Sequence, residues 1–246
     1  MIAELNVAGK KLKVDLSGGH DISIPVRRGT DSVEAFYIPH AEMKPFAAGS
    51  FIGSVNGGGA CNCENILFNA HGNGTHTECV GHVSKEAHYL PNSLHQYFFL
   101  CQVLSINPIE QADGDRLIMP DQIPNSLETP ALAIRTLPNA SSKLTAHYSG
   151  SNPIYLHPDT ALKIRELGVK HLLIDQPSVD REEDGGLLAA HKNYWNYPAA
   201  PRLDATITEF IYIPDQVEDG TYLLNLMVSG MESDAVPSKP VLYTIL

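Results

Sequence analysis

Three histidines and one glutamate fall within the twelve-residue stretch HGNGTHTECVGH, which runs from His71 to His82. His76 and Glu78 are two positions apart, so in an extended strand both side chains point to the same side. Imidazole and carboxylate groups are the usual ligands of a catalytic Zn²⁺ or Mn²⁺ ion. Such an ion lowers the pKa of bound water to about 7 and polarises a carbonyl group. A histidine outside the ligand set could then move a proton.

The spacing of the other two histidines is less regular. His82 follows His76 by six positions, again an even number, whereas His71 precedes His76 by five. Gly72 and Gly74 permit the turn that would bring His71 back to the same side. The alternative is a histidine-rich surface loop, since eleven histidines in the chain make some clustering expected by chance. The residues alone leave both interpretations open.

Composition places the chain among globular proteins. Its 246 residues are 43% hydrophobic and 18% charged, which is enough for a buried core. The net charge of -11 disfavours nucleic acid as a partner, because an acidic surface repels phosphates. Apolar runs such as YLLNLMV are far shorter than the roughly 20 residues of a membrane span. The first residues, MIAELNVAGKKLKVDL, resemble no signal peptide, so the expected location is the cytoplasm.

The pattern of short apolar runs predicts one α/β domain over residues 1–246 with a mixed sheet. AELNV and KKLKVDL predict a hairpin, and PIYLHPDTALKIRELGVKHLLID predicts a strand, a helix from Pro158 that Gly168 ends, and another strand. The glycine-rich stretch GSVNGGGACNCEN predicts a loop without a phosphate-binding motif. Other predicted strands are AFYIPH, HQYFFLCQVLSI, PALAIRT, ATITEFIYI, TYLLNLMV and PVLYTI.

Some other polar and aromatic groups favour structural roles. Cys61 and Cys63 stand closer together than the pairs of common zinc sites, so these cysteines and Cys79 are predicted to be free, buried thiols. Trp195, with its neighbouring tyrosines, could line an aromatic pocket or pack in the core. The segment DQPSVD predicts turn and capping roles, because no nucleophile elbow surrounds its serine. REED, at 181–184, predicts a solvated charged loop.

The segment GTHTECVGH resembles the signature of the cyclase family of metal-dependent hydrolases, which includes bacterial kynurenine formamidases and isatin hydrolase. That signature is a histidine, a short Gly-Thr turn, His-x-Asp and, after three intervening residues, another histidine. Four further blocks resemble the family in the same order: KVDLSGGHDISIP, GVKHLLIDQPSVD, HKNYW with ATITEFIYI, and LMVSGMESDAVPSKPVLY.

The resemblance implies a swivelling β/β/α fold, a small-molecule substrate and a homodimer. It implies that a first zinc or manganese ion is bound by His71, His76 and Glu78, and that His82 is the general acid/base. In members with two ions, the second site would be completed by His191 and Glu209, with Glu78 able to bridge. His20, which follows DLSGG, could border the substrate.

This chain departs from the family pattern at three points. Glu78 stands in the aspartate position, one extra residue separates His71 from His76, and His191 and Glu209 are further apart than in typical formamidases. A longer acid on a longer loop could compensate and preserve one metal. The same changes could instead alter the choice of metal, lose the second ion or mark a subgroup with a different substrate.

The predicted function is metal-dependent hydrolysis of an amide-type C–N bond, and by resemblance the first substrate to test is N-formyl-kynurenine. A cyclic amide or a lactone is the next candidate. A cyclase or dehydratase reaction would use the same metal and base to remove a proton beside a carbonyl. A non-catalytic protein that binds a metal or a small molecule is a hypothesis from another class.

Overall fold

The computed structural model describes residues 1–7 and 9–246. Its helices are α1 (Ala70–Asn73), α2 (Pro158–Glu166) and α3 (Ala189–Trp195). Its strands are β1 (Ile2–Val7), β2 (Lys10–Asp15), β3 (His20–Asp21), β4 (Glu42–Pro45), β5 (Ala47–Ala48), β6 (Phe51–Ile52), β7 (Glu64–Leu67), β8 (His76–Glu78), β9 (Phe98–Ile106), β10 (Ile109–Glu110), β11 (Arg116–Ile118), β12 (Ala131–Thr136), β13 (Tyr155–Leu156), β14 (His171–Ile174), β15 (Thr206–Glu209), β16 (Gly220–Val228) and β17 (Ala235–Thr244).

The largest sheet of the described residues has eight strands and is mixed, as the sequence predicts. Its order is β16-β9-β12-β14-β15-β8-β17-β3, and β16 also pairs with β17. That extra pairing closes the sheet into a barrel, with β3 added on the outer side of β17. The strands β9, β12, β14 and β15 run parallel to one another, and the remaining pairs are antiparallel. Closure removes the exposed edges that an open sheet would present.

Alternating side chains on the central strands divide the core into two layers. Leu132 and Ile134 of β12 pack in one cluster with Ile164 of α2 and Tyr194 of α3. Ala131, on the same strand, faces the opposite way into the other cluster, as the two-residue period of a strand requires. Helices α2 and α3 therefore cover one face of the barrel wall. Burial of each large apolar side chain there contributes about 1.5–3 kcal/mol to folding.

The remaining strands form small sheets around this barrel. β1 and β2 form the predicted antiparallel hairpin, and Ala8, between them in the sequence, lies outside the described residues. β4 pairs with β7, and β5 pairs with β6, in the segment that includes the glycine-rich loop.

Two details of the predicted secondary structure are wrong. The segment AFYIPH is not a strand: it turns at Phe36 and Tyr37, whose φ values of 59° and 56° are positive. The strand-helix-strand unit around α2 forms, but its two strands lie in different sheets. β13 pairs with β11, whereas β14 pairs with β12 and β15. Strand pairing depends on partners distant in sequence, which a local pattern does not specify.

Among the helices of the described residues, none has both the length and the apolar character needed to cross a bilayer.

Candidate metal centre

Strand β8 carries the middle of the histidine cluster into the barrel wall. It lies between β15 and β17, so all three of its side chains are fully buried. His76 and Glu78 share one face, as their spacing predicts, while Thr77 points to the other face and hydrogen-bonds with Thr208. The register places Glu209 of β15 directly opposite His76. Their facing atoms, His76 Nε2 and Glu209 Oε2, are 3.3 Å apart.

His71 reaches the same face from the short helix α1. Asn69 begins this helix by accepting the backbone N–H of His71 at 2.9 Å. Gly72 is required there, since a Cβ atom at this position would lie 2.8 Å from the side chain of Ile38. The turn brings His71 Nδ1 to 3.3 Å from Glu78 Oε2. The extra residue between His71 and His76 is thus absorbed by a helical turn.

His82 lies on a short 3₁₀ helix, Val80–His82, that follows the strand. The even spacing from His76 is therefore not what orients it, because the chain is no longer extended after Glu78. The backbone of Gly81 passes so close to His88 that a Cβ atom would lie 2.1 Å from the His88 carbonyl oxygen. His82 lies at the cluster, where its Nδ1 is 3.7 Å from Glu78 Oε2.

His191 comes to the cluster from helix α3. Its Nδ1 lies 2.6 Å from Asp180 Oδ2, and its Nε2 lies 3.1 Å from Glu78 Oε1 and 3.6 Å from Glu209 Oε1. Asp180 also accepts the backbone N–H groups of Ala190 and His191, which is the capping role that the sequence predicts for DQPSVD. Asp180 thereby fixes both the start of α3 and the orientation of the His191 ring.

Two buried atoms of this cluster have no hydrogen-bond partner: His76 Nε2 and Glu78 Oε2. His71 Nδ1 is near Glu78 Oε2, but the pair lacks hydrogen-bond geometry. The His76 ring donates from Nδ1 to the carbonyl of Gly74 at 3.2 Å, so its Nε2 presents a lone pair to the carboxylates. Unpartnered buried acceptors cost about 1–3 kcal/mol each, and a cation between them would remove that cost. Two imidazoles and a carboxylate also suit zinc or manganese. The residues therefore fit a divalent metal.

Three overlapping sets of side chains in the described residues have ligand atoms within 4.8 Å of one another. The first set is His71, His76 and Glu78, the trio predicted for the first ion. The second combines Glu78 and His191 with His82. The third joins His71 and His82 to Asp234. Glu209 belongs to none of these sets, although it lies near His76 and His191.

Contacts between histidines and carboxylates shift the pKa values of His71 and Glu78. Burial by itself lowers the pKa of His71, but its hydrogen bond to Asp234 and the nearby negative charge of Glu78 outweigh burial and raise the pKa to about 10. For Glu78, burial raises the pKa, whereas the charge of His82 and the hydrogen bond from His191 hold it well below its usual range. Because a metal ion requires neutral imidazoles, its binding here would release protons.

The sequence pattern of the putative cyclase family matches residues 20–181. This span contains His71, His76, Glu78 and His82 and ends before His191, Glu209 and Asp234. The chain belongs to the cyclase family. No match was found among curated protein sequences.

Solved structures show the same fold as this cyclase-family chain. A potential metal-dependent hydrolase with cyclase activity has a TM-score of 0.65 at 16% identity, over 92% of this chain and 97% of that one. A predicted metal-dependent hydrolase from Bacillus stearothermophilus has a TM-score of 0.61 at 15% identity, over 92% and 98%. Isatin hydrolase A from Labrenzia aggregata, bound to benzyl benzoate, has a TM-score of 0.62 at 12% identity, over 93% and 94%. The expected cyclase-like fold is confirmed.

A cavity of about 660 Å³ in this cyclase-family protein opens beside the cluster. His71, His82, His191 and Glu209 line one side of it. Its volume is typical of sites for small molecules. The apolar part of the wall consists of Phe36, Ile38 and Leu188, and the charged part is the segment 181–184.

The sequence predicts that the charged segment 181–184 is a solvated loop. In the structure this segment also borders the cavity. The cation of Arg181 is paired with Asp115, whose Oδ2 is 3.3 Å from Arg181 Nε. Glu182 accepts the backbone N–H of Gly150 at 2.8 Å through Oε2, while its buried Oε1 has no partner. Because its one cation is already paired, the net charge that this wall presents to the cavity is negative.

Asp234 is the member of the cluster that the sequence does not reveal. It precedes β17, and its Oδ2 lies 3.2 Å from His71 Nε2 and 3.6 Å from His82 Nδ1. It stands in the segment LMVSGMESDAVPSKPVLY, but no spacing relates it to the histidines. Only the pairing of β17 with β8 brings it there.

The other candidate residues take structural positions. Cys61 and Cys63 are free but exposed, so their predicted burial is wrong, whereas Cys79 is free and buried. Trp195 packs in the core and donates from Nε1 to the carbonyl of Ala205 at 3.0 Å, which favours the core alternative. His20 lies on β3 and is not part of the cavity wall.

Proposed function

We propose that this protein is a divalent-metal-dependent hydrolase that cleaves an amide-type C–N bond in a small molecule, in the manner of an arylformamidase. One observation carries the proposal: the candidate ligands meet His82 at the wall of a cavity of about 660 Å³. A metal-ligand set beside a cavity, with one further histidine facing that cavity, is the arrangement that metal-assisted hydrolysis requires.

The first ion would be held by His71, His76 and Glu78. A second would be held by His191 and Glu209, with Glu78 able to contribute to both sites. An ion at this position, zinc or manganese, supplies a Lewis acid that polarises the substrate carbonyl and acidifies water. The burial of His76 and Glu78 excludes bulk water and strengthens electrostatic interactions there.

His82 would carry the proton. It lies at the cavity wall with 26% of its side chain exposed, so it can contact both water and substrate. As general base it takes a proton from the attacking water, whose oxygen bonds to the carbonyl carbon. As general acid it returns that proton to the nitrogen as the C–N bond breaks. The products are a carboxylic acid, formate in the case of a formamide, and an amine.

The charge of the cavity wall narrows the substrate class. Glu182 and Glu183 border the cavity, and Arg181 is already paired with Asp115. The apolar wall of Phe36, Ile38 and Leu188 suits an aryl group. We therefore expect a neutral aryl formamide to react faster than one with an additional carboxylate and no cation. N-formyl-kynurenine carries both a carboxylate and an ammonium group at neutral pH, so it is compared with the neutral aryl formamide and with the carboxylate-bearing one.

A cyclic amide is the second candidate. Isatin hydrolases are among the structures that share this fold, and isatin is itself a cyclic amide. Ring opening would use the same carbonyl activation and the same proton transfer by His82. A lactone, with oxygen as the leaving atom, would need no change in these residues.

The experiment begins with elemental analysis of the protein purified without added metal or chelator, beside the His76→Ala variant. Near-stoichiometric zinc or manganese that is lost in the variant supports the proposed site. Formamides, cyclic amides and lactones are then screened with product masses recorded. Ring opening of a cyclic amide or a lactone gives one product that is heavier than the substrate by one water. Hydrolysis of a formamide gives formate and an amine whose masses together equal the substrate plus one water. A single product lighter by one water indicates a dehydratase. Metal binding without turnover of any class would favour a binding protein.

We also propose that the protein is a homodimer, as its family implies. The segment 42–67 leaves several large apolar side chains exposed, which is typical of a surface that another chain covers. They are Phe46, Phe51, Ile52, Val55, Ile66 and Leu67. Light scattering after size exclusion should give twice the chain mass, and Ile66→Glu should shift that mass towards the monomer. A monomeric wild-type protein would exclude this assembly.

A further inference from the structure

We propose that Asp234 is a positioning residue for the first metal site: it accepts the Nε2 proton of His71 and so fixes Nδ1 as the nitrogen offered to the ion. This inference rests on the proposed function, since it requires that His71 bind a metal. Asp234 would thus contribute to the site from near the C-terminal end of the chain.

The contacts of the His71 ring define the two roles of its nitrogens. Nε2 lies 3.2 Å from Asp234 Oδ2 in a hydrogen bond, and Nδ1 lies 3.3 Å from Glu78 Oε2 without one. An imidazole that donates from Nε2 keeps its lone pair on Nδ1. That lone pair points to the side of the ring where the unpartnered oxygen of Glu78 lies. Histidines that bind metals commonly donate their other ring nitrogen to a carboxylate in this way.

Asp234 is itself held in place. Its Oδ1 accepts the hydroxyl of Ser233 at 3.2 Å, which leaves Oδ2 for the histidine. Its backbone carbonyl accepts the N–H of Cys79 at 3.0 Å, and the next residue, Ala235, pairs with Glu78 in the sheet. Asp234 therefore lies next to the start of β17, the strand that pairs with β8. Backbone hydrogen bonds fix its position relative to the candidate ligand Glu78.

This chain has a specific need for such a partner. His71 stands on its own short helix, and 22% of its side chain is exposed, so packing alone does not fix which ring edge faces Glu78. His191 has an equivalent partner in Asp180, which accepts from its Nδ1 at 2.6 Å. Asp234 thus orients His71 in the same way that Asp180 orients His191.

The test compares Asp234→Ala and Asp234→Asn with the wild-type protein and with Glu232→Ala, an exposed neighbour. Each protein is stripped of metal and titrated with Zn²⁺ against a chromophoric chelator, and with Co²⁺ while visible spectra are recorded. We expect Asp234→Ala to bind the first ion about 10- to 100-fold more weakly at unchanged stoichiometry. Its Co²⁺ absorption should shift as the His71 ring reorients. Asp234→Asn should lie between the two, because an amide oxygen still accepts a hydrogen bond.

Wild-type affinity and an unchanged Co²⁺ spectrum in both variants would overturn the inference. A loss of one ion per chain would also overturn it, because Asp234 would then be a ligand rather than a positioning residue. If Asp234→Ala does not fold, the affinity and spectrum of Asp234→Asn decide. Failure of the proposed function is distinguishable, since it appears as a wild-type protein that binds no ion at all.

Discussion

Nε2 of His191 lies 3.1 Å from Oε1 of Glu78, although 113 positions separate the two residues in the sequence. The other oxygen of the same carboxylate faces His71, with Oε2 3.3 Å from His71 Nδ1. Glu78 thus spans the two halves of the candidate centre. We expect this reach to depend on the length of the glutamate side chain, which is one methylene longer than that of an aspartate.

Shortening or neutralising this carboxylate should weaken metal binding. Glu78→Gln removes the negative charge, and Glu78→Asp withdraws the oxygens so that they no longer reach both histidines. We expect both variants to lose more than about 10-fold in zinc affinity, with the larger loss for the glutamine. Metal content and chelator competition measure this, with exposed Glu86→Gln as the control. Wild-type affinity in Glu78→Asp would show that the bridging reach is not needed.

Replacing His82 should separate metal binding from catalysis. We expect His82→Asn to keep its metal and to lose about 10²- to 10⁴-fold in kcat, the usual contribution of a general acid/base. Elemental analysis and steady-state kinetics on the best substrate of the screen check this, with exposed His95→Asn alongside. Unchanged turnover would exclude the proton-transfer role. Lost metal would make His82 a ligand, as in the set it forms with Glu78 and His191.

Removing a negative charge from the cavity wall should change substrate preference. Glu183 borders the cavity and is exposed, so Glu183→Gln should raise kcat/KM for a carboxylate-bearing formamide by about two- to fivefold. The kcat/KM of the matched neutral formamide should stay the same. The measurement is the ratio of kcat/KM for the carboxylate-bearing formamide to kcat/KM for the neutral one, taken at low and at high salt for the variant and the wild type. An equal change for both substrates would mean that the wall does not select by charge.

Stability should fall in mild acid because of a histidine outside the site. His171 is buried against Phe99, and burial lowers its pKa to about 4 from the model-peptide value of 6.5. The unfolded chain therefore binds the proton more tightly. The contribution of His171 to stability is complete above pH 6.5 and is lost as the pH falls towards 4, by about 3 kcal/mol in total.

Urea unfolding of metal-free protein between pH 7.5 and 4.5 measures this effect. His171→Gln should flatten the pH dependence of the unfolding free energy, although it also lowers stability at neutral pH through the lost packing. Exposed His95→Gln should leave the dependence unchanged. An identical slope in His171→Gln and wild type would contradict the assignment.

The sequence by itself determined the local part of this protein. The two-residue spacing of His76 and Glu78 places both on one face of β8, because alternation along a strand depends only on the backbone. The hairpin, the helix from Pro158 and the long strands around the barrel also follow from local patterns. The order of several weak motifs was enough to indicate the family.

Tertiary structure decided which distant groups join the cluster. Glu209 faces His76 because β15 pairs with β8, and Asp234 reaches His71 because β17 pairs with β8 on its other side. Strand register is set by long-range packing, which leaves no trace in the spacing of either residue. For the same reason the sequence did not predict the turn at Phe36 or the position of segment 181–184 at the cavity. What surrounds a loop depends on the elements folded against it.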